Sequence, residues 1–263
     1  MIVDAHCHAS DVWFEPIEPL VFQMDQNGVA HAVLTQLLGQ FDNAYQQRCL
    51  ARYPGRLASC VAVDPAAPDA LAQVRALAAG GASGLRLRPD ARSPGDDPLA
   101  IWRTAQEAGM AISCGGPAPI IAGDAFAELV GALPGLTIAV EHLGGWSRPD
   151  CDKSEEAKAR ILALAKFPNV CLKVPALGQL AQRGPMLPPS GRVLPLEGGK
   201  IVLEMLRAFG PERLMWGSDS PVVGSREGYA NSLNWTREIF AAESAAAIDL
   251  VFGGTARTVF RLG

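Results

Sequence analysis

Eight short runs of β-forming residues recur along this chain, and Ala- and Leu-rich segments with the apolar spacing of amphipathic helices separate them. The predicted strands are residues 2–6, 30–35, 57–63, 84–88, 111–114, 137–142, 170–174 and 214–217. The clearest predicted helices are residues 69–79, 98–108, 125–133 and 155–167. Regular alternation of strand and helix predicts a parallel sheet, and eight repeats predict a TIM (β/α)8 barrel.

Nothing in the sequence divides this barrel. The 263 residues are a length that α/β barrels commonly reach as one unit. We find no linker, internal repeat or low-complexity tract, so we predict a single distorted barrel domain over residues 1–263. The longest irregular segment, residues 175–199, follows the seventh strand. In a barrel that segment lies at the carboxyl-terminal face, where such loops usually cover a site.

Composition excludes several classes of partner. The formal net charge is −4 and basic residues form no cluster, so we expect no nucleic-acid partner. No apolar run approaches the roughly 20 residues that span a bilayer, and the first residues lack a signal-peptide pattern. The six cysteines form no Cys-x-x-Cys pair, and several lie in apolar runs. We therefore expect buried free thiols and a cytoplasmic location.

The amino terminus carries the most specific motif, Asp4-Ala5-His6-Cys7-His8, directly after a short apolar run. If the run is a strand, side chains alternate between its faces, and Asp4, His6 and His8 share one face. Two imidazoles two residues apart on one face can both reach a single divalent ion. The alternative interpretation is a pair of histidines on a surface strand.

Other unusual polar residues also fall where predicted strands end. Arg86 and Arg88 end the fourth strand, His142 ends the sixth, and Asp219 follows the eighth. The carboxyl-terminal ends of barrel strands are where active sites form. His31 opens the second strand at the opposite end of the barrel, so we expect it to have a structural role.

The three motifs together resemble the amidohydrolase superfamily. They are the Asp-x-His-x-His series, His-Leu-Gly-Gly from residue 142, and Gly-Ser-Asp-Ser-Pro from residue 217. The chain looks most like the amidohydrolase 2 branch, which holds lactonases and metal-dependent decarboxylases related to aminocarboxymuconate semialdehyde decarboxylase. The resemblance runs nearly end to end, although Thr255 stands where the family usually has Asn.

The resemblance implies roles for these residues. His6, His8 and Asp219 correspond to metal ligands, and among divalent ions we expect zinc first. Asp219 also corresponds to the group that takes a proton from the attacking water. His142 corresponds to the residue that polarises or protonates the substrate, and Asp4 would orient a ligand histidine.

One departure from the family pattern leaves metal binding open. Metal-dependent members usually have a histidine at the end of strand five, where this chain has Cys114. That residue would act either as a thiolate ligand or as a small apolar filler. Some lactonases of the branch work without metal, with histidines that hold the substrate and an aspartate that activates water. The enzyme is therefore either a divalent-metal enzyme or metal-independent.

Several residues are candidates for substrate contact. Arg86 and Arg88 could bind a carboxylate bidentately, or could instead pair with Asp90, Asp96 or Asp97. Lys173 on strand seven could meet an anionic substrate. Three aromatic residues in loops could wall a ring-shaped substrate or cover the core: Trp13, Phe14 and Trp146.

Three functions are compatible with these residues. The leading hypothesis is a hydrolase that opens a lactone of a carboxylic or sugar acid with water activated by Asp219. The second is a divalent-metal-dependent, non-oxidative decarboxylase of an unsaturated or aromatic carboxylate. The third is a non-catalytic barrel that binds a small ligand. The expected partner is a small, anionic substrate, and by resemblance the protein could be a homo-oligomer.

Overall fold

Eight parallel strands surround one axis in the computed structural model, which describes residues 1–189 and 191–263. Each strand pairs with the next one along the chain. The strands are β1 (Ile2–Cys7), β2 (Val29–Thr35), β3 (Leu57–Val61), β4 (Gly84–Leu87), β5 (Ala111–Cys114), β6 (Ile138–Val140), β7 (Val170–Val174) and β8 (Leu214–Trp216). This order is that of a (β/α)8 barrel, which confirms the predicted fold class.

Helices connect the strands on the outside of the sheet. They are α1 (Ile17–Gln26), α2 (Ala44–Arg52), α3 (Ala70–Ala79), α4 (Ala100–Glu107), α5 (Ala118–Ile121), α6 (Asp124–Ala132), α7 (Glu155–Leu162), α8 (Lys200–Phe209), α9 (Tyr229–Ile239), α10 (Ala245–Asp249) and α11 (Thr255–Phe260). Over the described ranges, we find none with the length and apolar character needed to cross a bilayer.

The barrel closes beyond the end of β8. A parallel bridge joins Cys7 to Ser220, and two backbone hydrogen bonds flank it. The Asp219 N–H donates to the His6 carbonyl at 2.8 Å, and the His8 N–H donates to the Ser220 carbonyl at 2.7 Å. The seam of the barrel therefore lies between the two segments that carry the first and last site motifs.

Apolar side chains fill the barrel interior toward its amino-terminal end. Val3, Ala5, Cys60 and Met215 are buried there in one cluster, together with Phe260 of α11. In β4 this layer has only Gly84, where an added Cβ would lie 2.4 Å from the Cys60 sulfur. A second, larger cluster packs between the strands and the helices. Polar side chains are thus confined to the upper part of the interior.

A β-bulge in β1 overturns one sequence expectation. Between Asp4 and Cys7, three steps along β1 match only two steps along β2, so β1 has one extra residue. The extra residue breaks the alternation of side chains. The Asp4 carboxylate consequently bonds to the Tyr229 hydroxyl of α9, outside the barrel, at 3.0 Å. The prediction that Asp4 shares a face with His6 and His8 was wrong.

β6 is shorter than predicted, and its end reorients a site residue. The strand stops at Val140, and His142 has a φ of 52°, in the left-handed region. Alternation from Ala139, which lies in the interior cluster, points Glu141 inward and would point His142 outward. The left-handed turn at His142 returns its ring to the barrel mouth.

Candidate active site

Residues from both ends of the chain meet at the mouth of the barrel. Nε2 of His8 lies 3.3 Å from Oδ1 of Asp219, and Nε2 of His6 lies 3.7 Å from the same oxygen. The His142 ring centroid lies 5.0 Å from that of His6. We call these four residues the histidine cluster: His6, His8, His142 and Asp219. The structure brings together all the residues to which the resemblance assigns catalysis or metal binding.

Backbone conformation brings these groups close together. Asp219 has a φ of 59°, which costs a non-glycine residue of order 1 kcal/mol and typically persists only where the surroundings fix it. Gly217 also lets the seam close, because a Cβ there would lie 2.6 Å from the His6 Cβ. The glycine of the Gly-Ser-Asp-Ser-Pro motif therefore provides space for the histidine of the first motif.

The hydrogen bonds of His8 define its tautomer. Its Nδ1 lies 2.7 Å from the Thr35 carbonyl oxygen, which can only accept, so Nδ1 carries a proton. In a neutral ring, Nε2 then holds a lone pair that faces the Asp219 carboxylate at 3.3 Å. Two acceptors at this distance repel each other unless a proton or a cation lies between them. The geometry therefore calls for an electropositive partner at this point.

His6 is held from below by a buried lysine. Its Nδ1 lies 3.1 Å from Lys173 Nζ, and its buried Nε2 has no hydrogen-bond partner among the described residues. Burial lowers the pKa of His6 well below its usual value, and the Lys173 charge lowers it further, so the ring is neutral. An ammonium at Lys173 donates to Nδ1 and puts the ring proton on Nε2, whereas a metal ion at Nε2 requires the opposite tautomer.

The donor set fits a divalent metal ion. His6, His8 and Asp219 each offer one ligand atom, and these atoms lie within 4.8 Å of one another. Two nitrogens and one oxygen are a common ligand set for Zn²⁺ and related ions. Nε2 of His6 has no hydrogen-bond partner among the described residues, and Nε2 of His8 faces Asp219, so both atoms are placed to bind such an ion. An ion bound there competes with the hydrogen bond from Lys173 to His6.

Asp219 is held as an anion. Gln179 Nε2 donates to its Oδ2 at 2.7 Å, and Arg226 Nη2 lies 3.8 Å from the same oxygen. Burial alone would raise the pKa of Asp219, but His8, His142 and Arg226, which stabilise the anion at low pH where the imidazoles are protonated, outweigh it and lower that pKa. Burial lowers the pKa of His142, although Asp219 and Glu141 oppose that shift. At neutral pH the cluster thus holds a carboxylate base beside a neutral imidazole.

A second polar group lies deeper in the barrel, and we call it the inner network: Arg86, Ser113, Glu141 and Lys173. Arg86 binds Glu141 bidentately at 3.0 and 2.7 Å and donates to the Gln36 carbonyl at 2.7 Å. Ser113 donates to Glu141 at 2.7 Å and accepts from Lys173 at 2.7 Å. Burial would raise the pKa of Glu141, but the charges of Arg86 and Lys173 hold it well below its usual range.

The residues predicted to bind substrate occupy different positions. Arg86 and Lys173 are buried in the inner network. The Arg88 guanidinium pairs with Asp90 at 3.0 Å and is 49% exposed, so the structure does not bring it into the site. Trp13 is exposed in the first loop, while its neighbour Phe14 stacks on the His8 ring with centroids 5.9 Å apart.

Trp146 and Cys114 lie at the edges of this arrangement. Trp146 packs against the outer core, and the Lys153 ammonium lies 5.1 Å from its ring centroid. Cys114 faces the helices in the outer cluster, and burial raises the pKa of its thiol well above the usual value. A thiol of this kind is a poor metal ligand at neutral pH, which favours the filler role.

Sequence reasoning missed three residues that contact the predicted site. Glu141 could have been found, since alternation along β6 from Ala139 points it inward. Gln179 and Arg226 carried no signal, because they lie in irregular segments after β7 and β8. Asp4, expected to orient a histidine ring, instead accepts the His6 backbone N–H at 3.2 Å and the Ser218 N–H at 2.9 Å. It therefore fixes the seam rather than an imidazole.

Comparison with known proteins agrees with the fold and with the family resemblance. The amidohydrolase 2 family model, described as amidohydrolase, matches residues 3–262. No curated protein matches the chain significantly in sequence.

Solved structures with the same fold cover nearly the whole chain. A putative 2-pyrone-4,6-dicarboxylic acid hydrolase from Pseudomonas putida has a TM-score of 0.77 at 24% identity, with 99% of this chain and 97% of that chain covered. An amidohydrolase from Burkholderia multivorans with bound zinc has a TM-score of 0.79 at 18% identity, with both chains covered completely. A 5-carboxyvanillate decarboxylase from Sphingomonas paucimobilis has a TM-score of 0.65 at 14% identity, with 100% and 99% covered. The family match over almost every residue shows that this chain belongs to the amidohydrolase 2 family of enzymes.

Proposed function

We propose that this protein is a hydrolase that opens a lactone of a carboxylic or sugar acid. The observation that carries the proposal is the distance of 3.3 Å between Asp219 Oδ1 and Nε2 of His8, a ring whose Nδ1 donates to the Thr35 carbonyl. A water molecule that donates one proton to each acceptor satisfies both and becomes more nucleophilic. The putative 2-pyrone-4,6-dicarboxylic acid hydrolase among the similar folds supports the same class of reaction.

The chemistry follows from the charge states of the cluster. Asp219 accepts a proton as the water oxygen attacks the lactone carbonyl carbon. His142 is neutral, so its ring N–H can donate to the carbonyl oxygen as negative charge develops there. The ring C–O bond then breaks, and the departing oxygen takes the proton back from Asp219. The product is an open-chain hydroxy acid.

A divalent ion would have a defined place in this scheme. His6, His8 and Asp219 would hold it, and when bound it would lower the pKa of a bound water and polarise the carbonyl. We propose zinc as the ion, supported by the ligand types and by the zinc-bound relative from Burkholderia multivorans. We also propose a cytoplasmic location, supported by six buried, unpaired cysteines.

The second candidate is a metal-dependent decarboxylase. The ligand set of two histidines and one aspartate favours it, and so does the 5-carboxyvanillate decarboxylase among the similar folds. A single panel separates the two functions: lactones and aromatic carboxylates, each assayed with protein of measured metal content. Lactone opening supports the leading proposal, whereas release of carbon dioxide supports the alternative.

The role of Asp219 is tested by Asp219→Asn, which keeps the shape of the side chain and removes the base. We expect kcat for the best lactone to fall roughly a hundred- to ten-thousand-fold, the usual contribution of a general base. Asp124→Asn, at the exposed start of α6, is the matched control and should keep full activity. Undiminished lactone turnover by the Asp219→Asn protein would show that another group activates the water.

A further inference from the structure

A cavity of about 600 Å³ borders the site on the side of residues 178–187 and 193–194. That volume lies within the range of small-molecule binding pockets. Leu187, Leu194 and Trp235 contribute apolar surface. The charged residues of the lining are Arg183, Arg226 and Glu227. Arg226 also faces the histidine cluster, because its Nη2 lies 3.8 Å from Asp219 Oδ2. A ligand in this cavity that contacts Arg226 would therefore be next to the catalytic carboxylate.

The Arg226 guanidinium is the best-placed arginine with unused donors. Its Nε lies 3.6 Å from Glu227 Oε2, and its Nη2 lies 3.8 Å from Asp219 Oδ2. At these distances the two carboxylates attract the guanidinium and keep it in place, but both distances are longer than a hydrogen bond. Among the residues that the structure describes, no acceptor takes a hydrogen bond from this guanidinium, although the Arg226 side chain is only 25% exposed. Arg86 and Arg88, by contrast, are bound bidentately by carboxylates.

Glu227 supports this position. Its carboxylate is buried, and its Oε1 accepts the Gly178 N–H at 2.6 Å. That contact ties the segment after β7 to the residue next to Arg226 along the chain. A Cβ at Gly178 would lie 2.1 Å from Glu227 Oε2, so only glycine permits the approach. Both sides of the cavity are consequently fixed with respect to Asp219.

We propose that Arg226 binds a carboxylate of the substrate and that the cavity holds the ring or chain that carries it. A planar guanidinium with free N–H groups is suited to a bidentate carboxylate. The substrate class is thus a lactone with at least one free carboxylate and an apolar or ring-shaped body. For its place in turnover this inference rests on the proposed function, but binding itself requires no reaction.

Calorimetric titration with isophthalate tests the proposal without turnover. Isophthalate is a flat ring with two carboxylates and no ester bond, and isophthalamide is its uncharged counterpart. For Arg226→Gln we expect the Kd for isophthalate to rise roughly ten- to hundred-fold, the usual effect of losing hydrogen bonds to a charged group. Arg226→Lys should give an intermediate Kd, because it keeps the charge but loses the fork. Isophthalamide binding should not differ between the variants.

The outcomes distinguish a failure of the Arg226 subsite from a failure of the proposed function. Arg103→Gln, on the exposed face of α4, should bind isophthalate like wild type. If Arg226→Gln or Arg226→Lys binds isophthalate within two-fold of wild type, or if wild type does not bind it, the subsite is refuted. Lactone turnover in that case leaves the proposed function intact. Conversely, Arg226-dependent binding without any lactone turnover refutes the hydrolase proposal and keeps the subsite.

Discussion

The histidine cluster and the inner network are both buried, polar and charged, yet they differ in how their groups are satisfied. In the inner network, Glu141 receives hydrogen bonds from Arg86 and Ser113, and Lys173 donates to Ser113 and reaches His6. In the histidine cluster, His6 Nε2 has no partner within the described chain, and His8 Nε2 faces another acceptor.

The difference separates structural polar groups from functional ones. A satisfied buried network gains its stability from the protein alone, and losing one member exposes the others to desolvation. Groups that lack partners inside the protein are instead available to water, metal or substrate. We therefore expect the inner network to control stability and the histidine cluster to control activity. Substitutions in the two regions and at their boundary test that division.

The inner network is broken most directly by Glu141→Gln. The change leaves Arg86 buried without its countercharge, and such losses typically cost about 3–5 kcal/mol of unfolding free energy. Urea denaturation measures the loss. The matched control is Glu156→Gln, which removes an exposed Glu–Arg pair on α7 and should change the unfolding free energy by less than about 0.5 kcal/mol. If the two variants lose the same unfolding free energy, the inner network is no more important for stability than a surface ion pair.

The boundary between the two regions is tested by Gln179→Ala. Gln179 is a positioning residue that donates to Asp219 Oδ2 and accepts from Ser147 at 3.0 Å. Without it the carboxylate loses a fixed orientation, and we expect kcat to fall roughly ten-fold, about 1.4 kcal/mol.

The readout must exclude a general loss of structure. The urea midpoint should stay near wild type for Gln179→Ala, because the stability of the fold does not depend on the orientation of Asp219. Gln47→Ala, at an exposed position of α2, should change none of these quantities. A lower urea midpoint that matches the loss of kcat would indicate that Gln179 only supports the fold.

The smallest effect is expected for Arg88→Gln. This arginine ends the same predicted strand as Arg86, but it lies at the surface and pairs with Asp90. Exposed pairs contribute about 0–1 kcal/mol, so the urea midpoint should hardly move. The Kd for isophthalate should stay within three-fold of wild type. A larger rise in Kd would show that Arg88 contributes to binding the carboxylate, and it would weaken the assignment of that role to Arg226.

Sequence patterns predicted the barrel and the positions of its site residues well, because the apolar runs and the polar residues at their ends are local features. Each strand is a short apolar run, and parallel strands put their carboxyl ends on one face of the barrel. His6, His142 and Asp219 could therefore be placed together from the sequence. Partners of long side chains are not local. From the sequence we considered Asp90, Asp96 and Asp97 as partners for Arg86. Its carboxylate partner in the structure is Glu141, directly after β6.

Backbone irregularities account for the remaining differences. Simple alternation predicted that Asp4 points with His6, but the extra residue in β1 sends its carboxylate toward α9. The positive φ values at His142 and Asp219 likewise redirect side chains in ways that a strand period does not encode. Gln179 and Arg226 were missed because their positions depend on how two irregular segments pack. Local patterns carry no information about that packing.

The bond from the Asp219 amide to the His6 carbonyl links structural integrity and chemistry in one place. A partial opening there, too small to unfold the protein, would move the carboxylate away from both imidazoles while the other seven strand pairings stay intact. Deuterium uptake at the Asp219 amide should therefore rise in step with inactivation under mild heating, well before global melting. Ligands that bridge the two segments would slow that uptake, so the enzyme should be protected by its own substrate.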